Sequence, residues 1–405
     1  MNVLFISISS FPHASEHSIT LDLIHEFIRQ GHKVSLVCSL ERRENKETSL
    51  TEEAGCRVLR VKIGNNKRAN IIEKGITTLM MPKLYVRAIK KYFGKEKFDL
   101  VLYPTPPVTH FDSVKYVKKR DHAKTYLLLK DIFPQNAVDI GMMSKSGVKG
   151  LLYKYFRRKE KSLYAISDRI GCMSPANVEY VIGRNPEVDK VKVEVCPNSI
   201  EVFDKSVDAD ARAEIRAKYG VPMDKKVFVY GGNLGRPQGI PFIIECLKAQ
   251  KDNDKAFFVI VGAGTEYGKL KSYVEESGQA NVMLMQRLPK DDYDKLVAAC
   301  DVGLIFLDNR FTIPNFPSRL LSYMQAKVPV LACTDANTDV GKVIENGGFG
   351  AWCQSNDVNA FSAKVDALCN ADLSAMGPKG FEYLKANYSV EDSYKTIMAF
   401  AEAQE

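Results

Sequence analysis

The sequence predicts an α/β protein with two consecutive domains, each built on a doubly wound parallel sheet. Its 405 residues exceed what one hydrophobic core usually organises. Short apolar runs alternate with amphipathic helical segments, as in chains of β-α-β units, and the alternation starts again after a polar stretch at residues 197–210. We expect a first domain over residues 1–200 and a second over 201–387, with a last helix at about 388–405 that packs back on the first.

The apolar runs define the individual strands and helices. Ile19–Gln30 is amphipathic, and Gly31 marks its C-terminal end. Ligands of doubly wound sheets bind beyond the carboxyl ends of the strands, so two such domains predict a site in the cleft between them. The predicted strands are Val3–Ser7, Lys33–Cys38, Phe98–Tyr103, Thr125–Leu129 and Arg169–Met173, then Lys226–Tyr230, Ala256–Val261, Val282–Met285, Val302–Phe306 and Val328–Cys333, with helices at Ala211–Lys218, Ile240–Lys248 and Asp291–Ala299.

Charge separates the two halves of the chain. Residues 1–200 hold 34 Lys+Arg and 21 Asp+Glu, a net charge of +13, whereas the remaining residues carry −5. A basic half indicates an anionic partner such as lipid or phosphate, although an ordinary solvated surface has the same composition. No recognisable module accompanies the cations, so we expect no nucleic-acid partner. Nine dispersed cysteines without a Cys-x-x-Cys pair are typical of reduced thiols in a cytosolic protein.

A glycine-rich loop joins the strand Lys226–Tyr230 to the helix that begins at Ile240. Glycines let backbone N–H groups approach an anion, and a helix N-terminus adds partial positive charge. Arg236 supplies the forked donor geometry that phosphate prefers, whereas an unliganded glycine turn is the alternative. Besides Arg236, the loop residues predicted to bind a phosphorylated ligand are Gly232, Asn233, Leu234, Gly235 and Gln238.

A second glycine loop, Gly262–Gly268, follows the next strand. Its spacing is one residue too long for a dinucleotide fingerprint, and the following strand ends in Gln286 and Arg287 where an acid is needed for a ribose. We interpret Gly264, with Gln286 and Arg287, as one edge of a nucleotide site.

A third loop contains Pro314 and Pro317. Ser318 is predicted to cap a helix over Arg319–Ala326, whose N-terminus would face a phosphate. Elsewhere, the acids Asp204, Asp208 and Asp210 precede a helix with no strand before them, so we expect turns and caps there rather than a metal site.

Together these blocks resemble glycosyltransferase family four, retaining enzymes of the GT-B fold with two Rossmann-like domains facing each other across a cleft. Within that family the sequence is similar to the amino-sugar and L-fucosamine transferases of capsule, O-antigen and colanic-acid synthesis. The blocks span nearly the whole chain. They are Gly31–Val34, Lys130–Pro134, Pro197–Asn198, Gly232–Ile240, Phe316–Arg319 and Pro329–Val330.

The sequence departs from the family at the donor diphosphate. The family has an Arg in the first glycine loop and a Lys five residues later, and here Asn233 and Gln238 occupy those positions. Arg236 is therefore the expected cation.

A second departure concerns the donor sugar and ribose. The family has two glutamates eight positions apart, which here are Pro314 and Ser322. We expect the helix start at Ser318, together with Arg319, to take over part of their role, with Ser322 beside them in the donor site.

The resemblance also implies roles in the first domain. Asp131 stands where the family often has a histidine or aspartate that contacts the donor sugar, so we expect it to be catalytic together with Arg236. The loops after the first strand and after Tyr103 suit an acceptor, and His110 is a further candidate, although exposure without function is the alternative for each histidine. The predicted acceptor-binding residues are Ser9, Ser10, His13, His17, Thr105 and Pro106.

Two stretches mix cations with large apolar residues, at Lys67–Phe98 and Val148–Ala165. Basic amphipathic helices are typical of membrane surfaces, although a core-facing helix with a solvated basic face has the same pattern.

We expect a cytoplasmic protein, peripheral on the inner face of the cell membrane, that transfers an N-acetylamino sugar from a UDP-sugar to a polyprenyl-diphosphate-linked saccharide. No metal or other cofactor is expected. The alternatives are a UDP-sugar epimerase of the same fold and a non-catalytic nucleotide-sugar-binding subunit.

Overall fold

The computed structural model describes residues 1–65 and 71–403, which divide into two units. Unit 1 comprises Met1–Glu201 with Ser389–Glu405, and unit 2 comprises Val202–Tyr388. The predicted α/β class is confirmed in both, since each unit is built around one mainly parallel sheet with helical crossovers.

Unit 1 contains an eight-stranded sheet within the described residues. Its strands are β1 Asn2–Ile6, β2 Lys33–Glu41, β3 Ser49–Glu53, β4 Cys56–Ile63, β5 Leu100–Thr105, β6 Lys124–Leu129, β7 Arg169–Cys172 and β8 Val193–Val195. Its helices are α1 Ile19–Arg29, α2 Ile71–Tyr92, α3 Phe111–Asp121, α4 Gln135–Asp139, α5 Gly147–Ile166 and α6 Pro175–Arg184. The strand order is β3-β4-β2-β1-β5-β6-β7-β8, and β5 and β6 neighbour each other beside the central β1.

One hairpin in unit 1 interrupts the parallel pattern. Strand β3 pairs antiparallel with β4, joined by Ala54 and Gly55, both with positive φ. Such a two-residue turn matches the twist of a hairpin, and the polar, mostly exposed β3 protects the sheet edge. The sequence pattern did not predict this hairpin, because Ala is an unusual residue at a turn position with positive φ.

Unit 2 contains a six-stranded, all-parallel sheet within the described residues, in the order β11-β10-β9-β12-β13-β14. Its strands are β9 Lys226–Asn233, β10 Ala256–Ala263, β11 Val282–Met285, β12 Val302–Phe306, β13 Val330–Thr334 and β14 Gly350–Gln354. Its helices are α7 Ala209–Tyr219, α8 Ile240–Ala249, α9 Tyr267–Ser277, α10 Lys290–Ala298, α11 Arg319–Gln325, α12 Val340–Asn346, α13 Val358–Asn370 and α14 Met376–Asn387. The strand order reverses direction between β9 and β12, which is where ligands of such sheets bind.

The chain returns to unit 1 through its last helix, α15 Val390–Glu402. Val390, Ile397 and Met398 join the core of unit 1, where they pack with residues of α1 such as Phe27. The helix is amphipathic, and burial of its apolar face is the force that fixes it there.

Candidate functional site

The glycine loop of unit 2 contains the C-terminal end of β9 and a short 3-10 helix, Arg236–Gln238. Gly232 has φ +132°, a conformation that L side chains rarely adopt, and a Cβ there would lie 2.8 Å from the Arg319 Nη2 atom. A side chain at Gly231 would overlap Tyr293. The loop is glycine-rich because Arg319 and Tyr293 pack directly against its backbone.

Arg319 is the cation that the fold brings to this loop. Its guanidinium lies 4.2 Å from the centre of the Tyr230 ring, and Tyr230, Tyr323 and Tyr293 are its electrostatic neighbours. The buried Nη1 atom has no hydrogen-bond partner among the described residues. A buried guanidinium nitrogen without a hydrogen-bond partner is costly, so Arg319 is a candidate for binding an anion. None of the three tyrosines was predicted as a site residue, although Tyr230 directly precedes the two glycines.

The loop that leads to Arg319 is fixed by residues after β13. The Oδ1 atom of Asp335 accepts hydrogen bonds from the backbone N–H groups of Asn337, at 2.8 Å, and Thr338, at 3.2 Å. The side chain of Asn337 donates to the Phe311 carbonyl at 2.6 Å, and that of Thr338 donates to the Asn315 carbonyl. Burial raises the pKa of Asp335 to about 6.

Arg236 lies away from this cluster. Its side chain is 53% exposed and lies 3.9 Å from Glu266, and it lines a separate cavity with Asp308 and Arg310. The structure therefore brings Arg319, and not Arg236, against the glycines of the loop.

The remaining predicted donor residues fall into three groups. Gln238 Oε1 accepts hydrogen bonds from Asn233 Nδ2 and from the Gly235 N–H, both at 3.2 Å, so these residues stabilise the loop. Leu234 is fully buried, and its backbone packs so closely on Gly264 that no Cβ fits there. The rest lie at the surface or in α11: Gln286 and Arg287 are exposed after β11, Ser318 is exposed, and Ser322 is half-buried.

The predicted capping role of Ser318 is wrong. Its backbone is already helical, at φ −64° and ψ −19°, and its side chain makes no capping hydrogen bond. The N-cap side chain acts from an extended conformation, which the backbone of Ser318 does not adopt. By contrast, Asp208 caps α7 as expected, accepting from the Ala211 N–H at 2.8 Å.

In unit 1, Asp131 follows β6 at the carboxyl edge of the sheet. Its Oδ2 atom accepts a hydrogen bond from Asn136 Nδ2 at 2.7 Å, and its buried Oδ1 atom has no side-chain partner among the described residues. Burial raises the pKa of this carboxyl to about 6. The Thr105 hydroxyl donates to the Asp131 carbonyl at 3.0 Å, so the ends of β5 and β6 meet here. Pro106 lies between two cis peptide bonds directly after Thr105.

The histidine candidates lie in different surroundings. His110 is fully buried, neither ring nitrogen has a partner among the described residues, and burial lowers its pKa to about 3. The expectation that it lies in an exposed loop is wrong, because its short 3-10 helix packs beneath α2 and α5. His13, Ser9 and Ser10 lie in the loop after β1, where Ser10 is partly buried and the other two are exposed.

His17 belongs to a trio of possible metal ligands with Asp22 and Glu201, whose ligand atoms lie within 4.8 Å of one another. Asp22 already accepts from the Ser18 and Glu201 backbone N–H groups, at 3.2 and 3.1 Å. Arg29 pairs with Glu201 at 3.0 Å. These contacts explain the trio as part of the fold.

The two basic stretches form α2 and α5, and residues 66–70 of the first stretch, with Lys67 and Arg68, lie outside the described residues. The N-terminal half of α5 exposes Val148 at 86%, Leu151 at 68% and Leu152 at 49%. In its C-terminal half, three cations are paired: Arg157 with Glu160, Lys159 with Asp112 and Lys161 with Glu187. No helix of the described part of the chain is long and apolar enough to cross a membrane.

Comparison with known proteins identifies the class of enzyme. Residues 211–378, all in unit 2, match the family model described as Glycosyl transferases group 1. A Pseudomonas aeruginosa protein named probable glycosyltransferase WbjE is 27% identical over 347 residues, covering 84% of this chain and 82% of the relative. WcaI of Escherichia coli K12, named for colanic acid biosynthesis, is 24% identical over 275 residues, 66% of each protein.

Solved structures show the same fold over the whole chain. Sucrose-phosphate synthase from Thermosynechococcus elongatus matches with a TM-score of 0.74 at 16% identity, covering 99% of this chain and 98% of that one. Anabaena Alr3699/HepE, in complex with UDP-glucose, matches with a TM-score of 0.68 at 14% identity, covering 99% of both. Unit 2 therefore carries a match to the group 1 glycosyl transferases, and the chain is a glycosyltransferase with the GT-B fold.

Proposed function

We propose that this glycosyltransferase moves a sugar, an N-acetylamino sugar in particular, from a UDP-sugar to a lipid-linked saccharide in bacterial surface polysaccharide synthesis. The observation that carries the proposal is the Arg319 guanidinium, which packs against Gly232 and whose buried Nη1 atom has no hydrogen-bond partner among the described residues. The UDP-glucose complex of HepE and the naming of WcaI for colanic acid biosynthesis support the donor and the pathway class.

The chemistry follows from where charge develops. As the bond from the sugar to the diphosphate breaks, negative charge grows on the leaving diphosphate, and preorganised donors lower the barrier most when they point at that charge. Arg319 and the backbone N–H groups of the loop around Gly232 would supply those donors. The acceptor hydroxyl forms the new bond to the anomeric carbon, with retention, and its proton leaves to the departing diphosphate.

Asp131 is the proposed catalytic residue of unit 1. An ionised carboxylate with one oxygen free of side-chain partners accepts hydrogen bonds from sugar hydroxyls. Because its pKa is about 6, it is mainly ionised at neutral pH and protonated in mild acid. Thr105 and Asn136 hold it in place.

Unit 1 is also the proposed contact with the membrane. Val148, Leu151 and Leu152 are exposed on one helix beside Lys149 and Lys154. Such a surface fits an anionic bilayer, where apolar residues insert and cations meet lipid headgroups. The paired cations of the C-terminal half of α5 would contribute less.

A direct test uses purified protein and a panel of UDP-sugars. We expect UDP binding by calorimetry and slow hydrolysis of one UDP-sugar in the absence of acceptor. Failure of UDP to bind would overturn the donor assignment. Conversion of a free UDP-sugar into its epimer would show an epimerase instead, and binding without hydrolysis or transfer would show a non-catalytic subunit.

A further inference from the structure

A cavity lies in unit 2 beside the glycine loop. It has a volume of about 430 Å³, within the roughly 300–1,000 Å³ typical of small-molecule sites. Loops after β9, β10, β12 and β14 surround it, with the first turn of α8. None of Gly232, Tyr293 and Arg319 lines it, so it is separate from the proposed diphosphate site.

The cavity is lined by two carboxylates and three cations, and each carboxylate is paired with at least one of the cations. Asp308 is 7% exposed and accepts two hydrogen bonds from the Arg310 guanidinium, at 2.8 and 2.7 Å. Glu266 is 8% exposed and pairs with Lys269 and, at 3.9 Å, with Arg236. A carboxylate that is already paired with a cation is a poor ligand for a metal ion, and a cation that is already paired with a carboxylate is a poor ligand for a phosphate.

One buried polar group in the cavity has no partner. Ser355 follows β14 and is 3% exposed, and its hydroxyl makes no hydrogen bond among the described residues. A buried hydroxyl without a partner is costly. A ligand that offers its own hydroxyl groups satisfies it, because a hydroxyl both donates and accepts.

The lining therefore matches a sugar ring. Carboxylate–guanidinium pairs present an acceptor beside a donor, which is what two neighbouring hydroxyls of a pyranose require. Asn309 and Asn356 add amide groups at the rim, and the Phe242 ring provides an apolar wall for the C–H face of a sugar. We infer that this cavity is a second saccharide-binding site, which holds a neutral pyranose unit of a glycan outside the site of transfer.

The test uses methyl glycosides of glucose, galactose and N-acetylglucosamine as probes, with saturating UDP present to occupy the donor site. Binding is followed by saturation-transfer NMR and calorimetry. At least one glycoside should bind weakly but saturably, and Ser355→Ala with Asn356→Ala should weaken it by about tenfold.

A blocking variant keeps the test independent of the buried serine. Asn309→Trp places a large ring at the exposed rim and should abolish glycoside binding, whereas Asn370→Trp, at the opposite end of α13 from Asn356, should not. UDP affinity should stay within twofold of wild type in each variant.

Three outcomes would overturn the inference. These are that no glycoside saturates, that the blocking variant binds as wild type does, or that these variants also lose UDP. The last would show that the cavity belongs to the donor site. Arg319→Ala should lose UDP binding but keep glycoside binding. That result would show that the saccharide site and the proposed diphosphate site are independent, so that one proposal can fail without the other.

Discussion

Asp131 in unit 1 and Arg319 in unit 2 are candidate site residues of opposite charge. Each lies beyond the carboxyl edge of a parallel sheet, and each has one buried polar atom without a side-chain partner among the described residues. Asp131 is held by neutral groups, and its pKa is raised to about 6 by burial, whereas Arg319 is surrounded by tyrosine rings. Within the described part of the chain, burial thus leaves a carboxylate in one unit and a guanidinium in the other with a free hydrogen-bonding atom, and we propose that the first binds sugar hydroxyls and the second an anion.

The largest effect is expected at Asp131. Asp131→Asn keeps the shape of the side chain but removes its charge, and it should lower the transfer rate by roughly 10²–10³-fold, the range for one lost hydrogen bond that stabilises the transition state. UDP affinity should be unchanged, and the wild-type rate should rise with pH through about 6. Transfer assays with the preferred UDP-sugar measure this. Near wild-type turnover in the variant would reduce Asp131 to a packing residue.

Arg319 should show the next largest effect, on binding. Arg319→Ala should weaken UDP binding by about 1.5–3 kcal/mol, the range for a hydrogen bond to a charged group. Arg236→Ala is the matched control, because its guanidinium is exposed and lies near Glu266. Calorimetry with UDP compares the two. A larger loss in the Arg236 variant would restore the expectation drawn from sequence.

The raised pKa of Asp131 predicts a dependence of stability on pH. Below about pH 4 the carboxyl is protonated in both the folded and the unfolded chain. Between about pH 4 and 6 the unfolded chain ionises first, so the free energy of unfolding falls as pH rises and levels off above the folded pKa.

Asp131→Asn should therefore be more stable than wild type at pH 7.5, by roughly 1–2 kcal/mol. Its free energy of unfolding should also fall less than that of wild type between about pH 4 and 6. Asp335, whose pKa is also about 6, contributes with the same sign and remains in the variant. Urea unfolding at several pH values measures both proteins, and an unchanged slope would contradict the assignment.

The smallest expected effect concerns membrane binding by the N-terminal half of α5. Replacing Leu151 and Leu152 by Ser should weaken binding to phosphatidylglycerol vesicles by roughly tenfold, since the two substitutions together lose about 1.4 kcal/mol of apolar burial. Val191→Ser, which alters another exposed apolar residue of unit 1 (74% exposed), is the control. Sedimentation with the vesicles at high salt measures the apolar contribution to binding, and the difference between low and high salt measures the electrostatic contribution. Equal sedimentation of all variants would show that α5 is an ordinary solvated helix.

The comparison of Arg236 with Arg319 shows where sequence reasoning stops. Both arginines lie in segments that the sequence marks as donor loops, and Arg236 is the nearer of the two to the glycines along the chain. Only folding places Arg319, 87 positions after Gly232, against that glycine. The loop that carries it is held by Asn337 and Thr338, residues that no local pattern singles out.

The sequence by itself determined the two α/β units and the strand ends at which the site residues lie. Hydrophobic periodicity and glycine positions are local properties, so Val282–Met285 and Val302–Phe306 were predicted to the residue. The tertiary structure alone decided which charges are buried and which are paired. Burial lowers the pKa of His110 to about 3. Three cations of α5 that the sequence pattern assigned to membrane binding form ion pairs with Glu160, Asp112 and Glu187. The physical reason is that desolvation and ion pairing depend on neighbours far along the chain, which a single sequence does not specify.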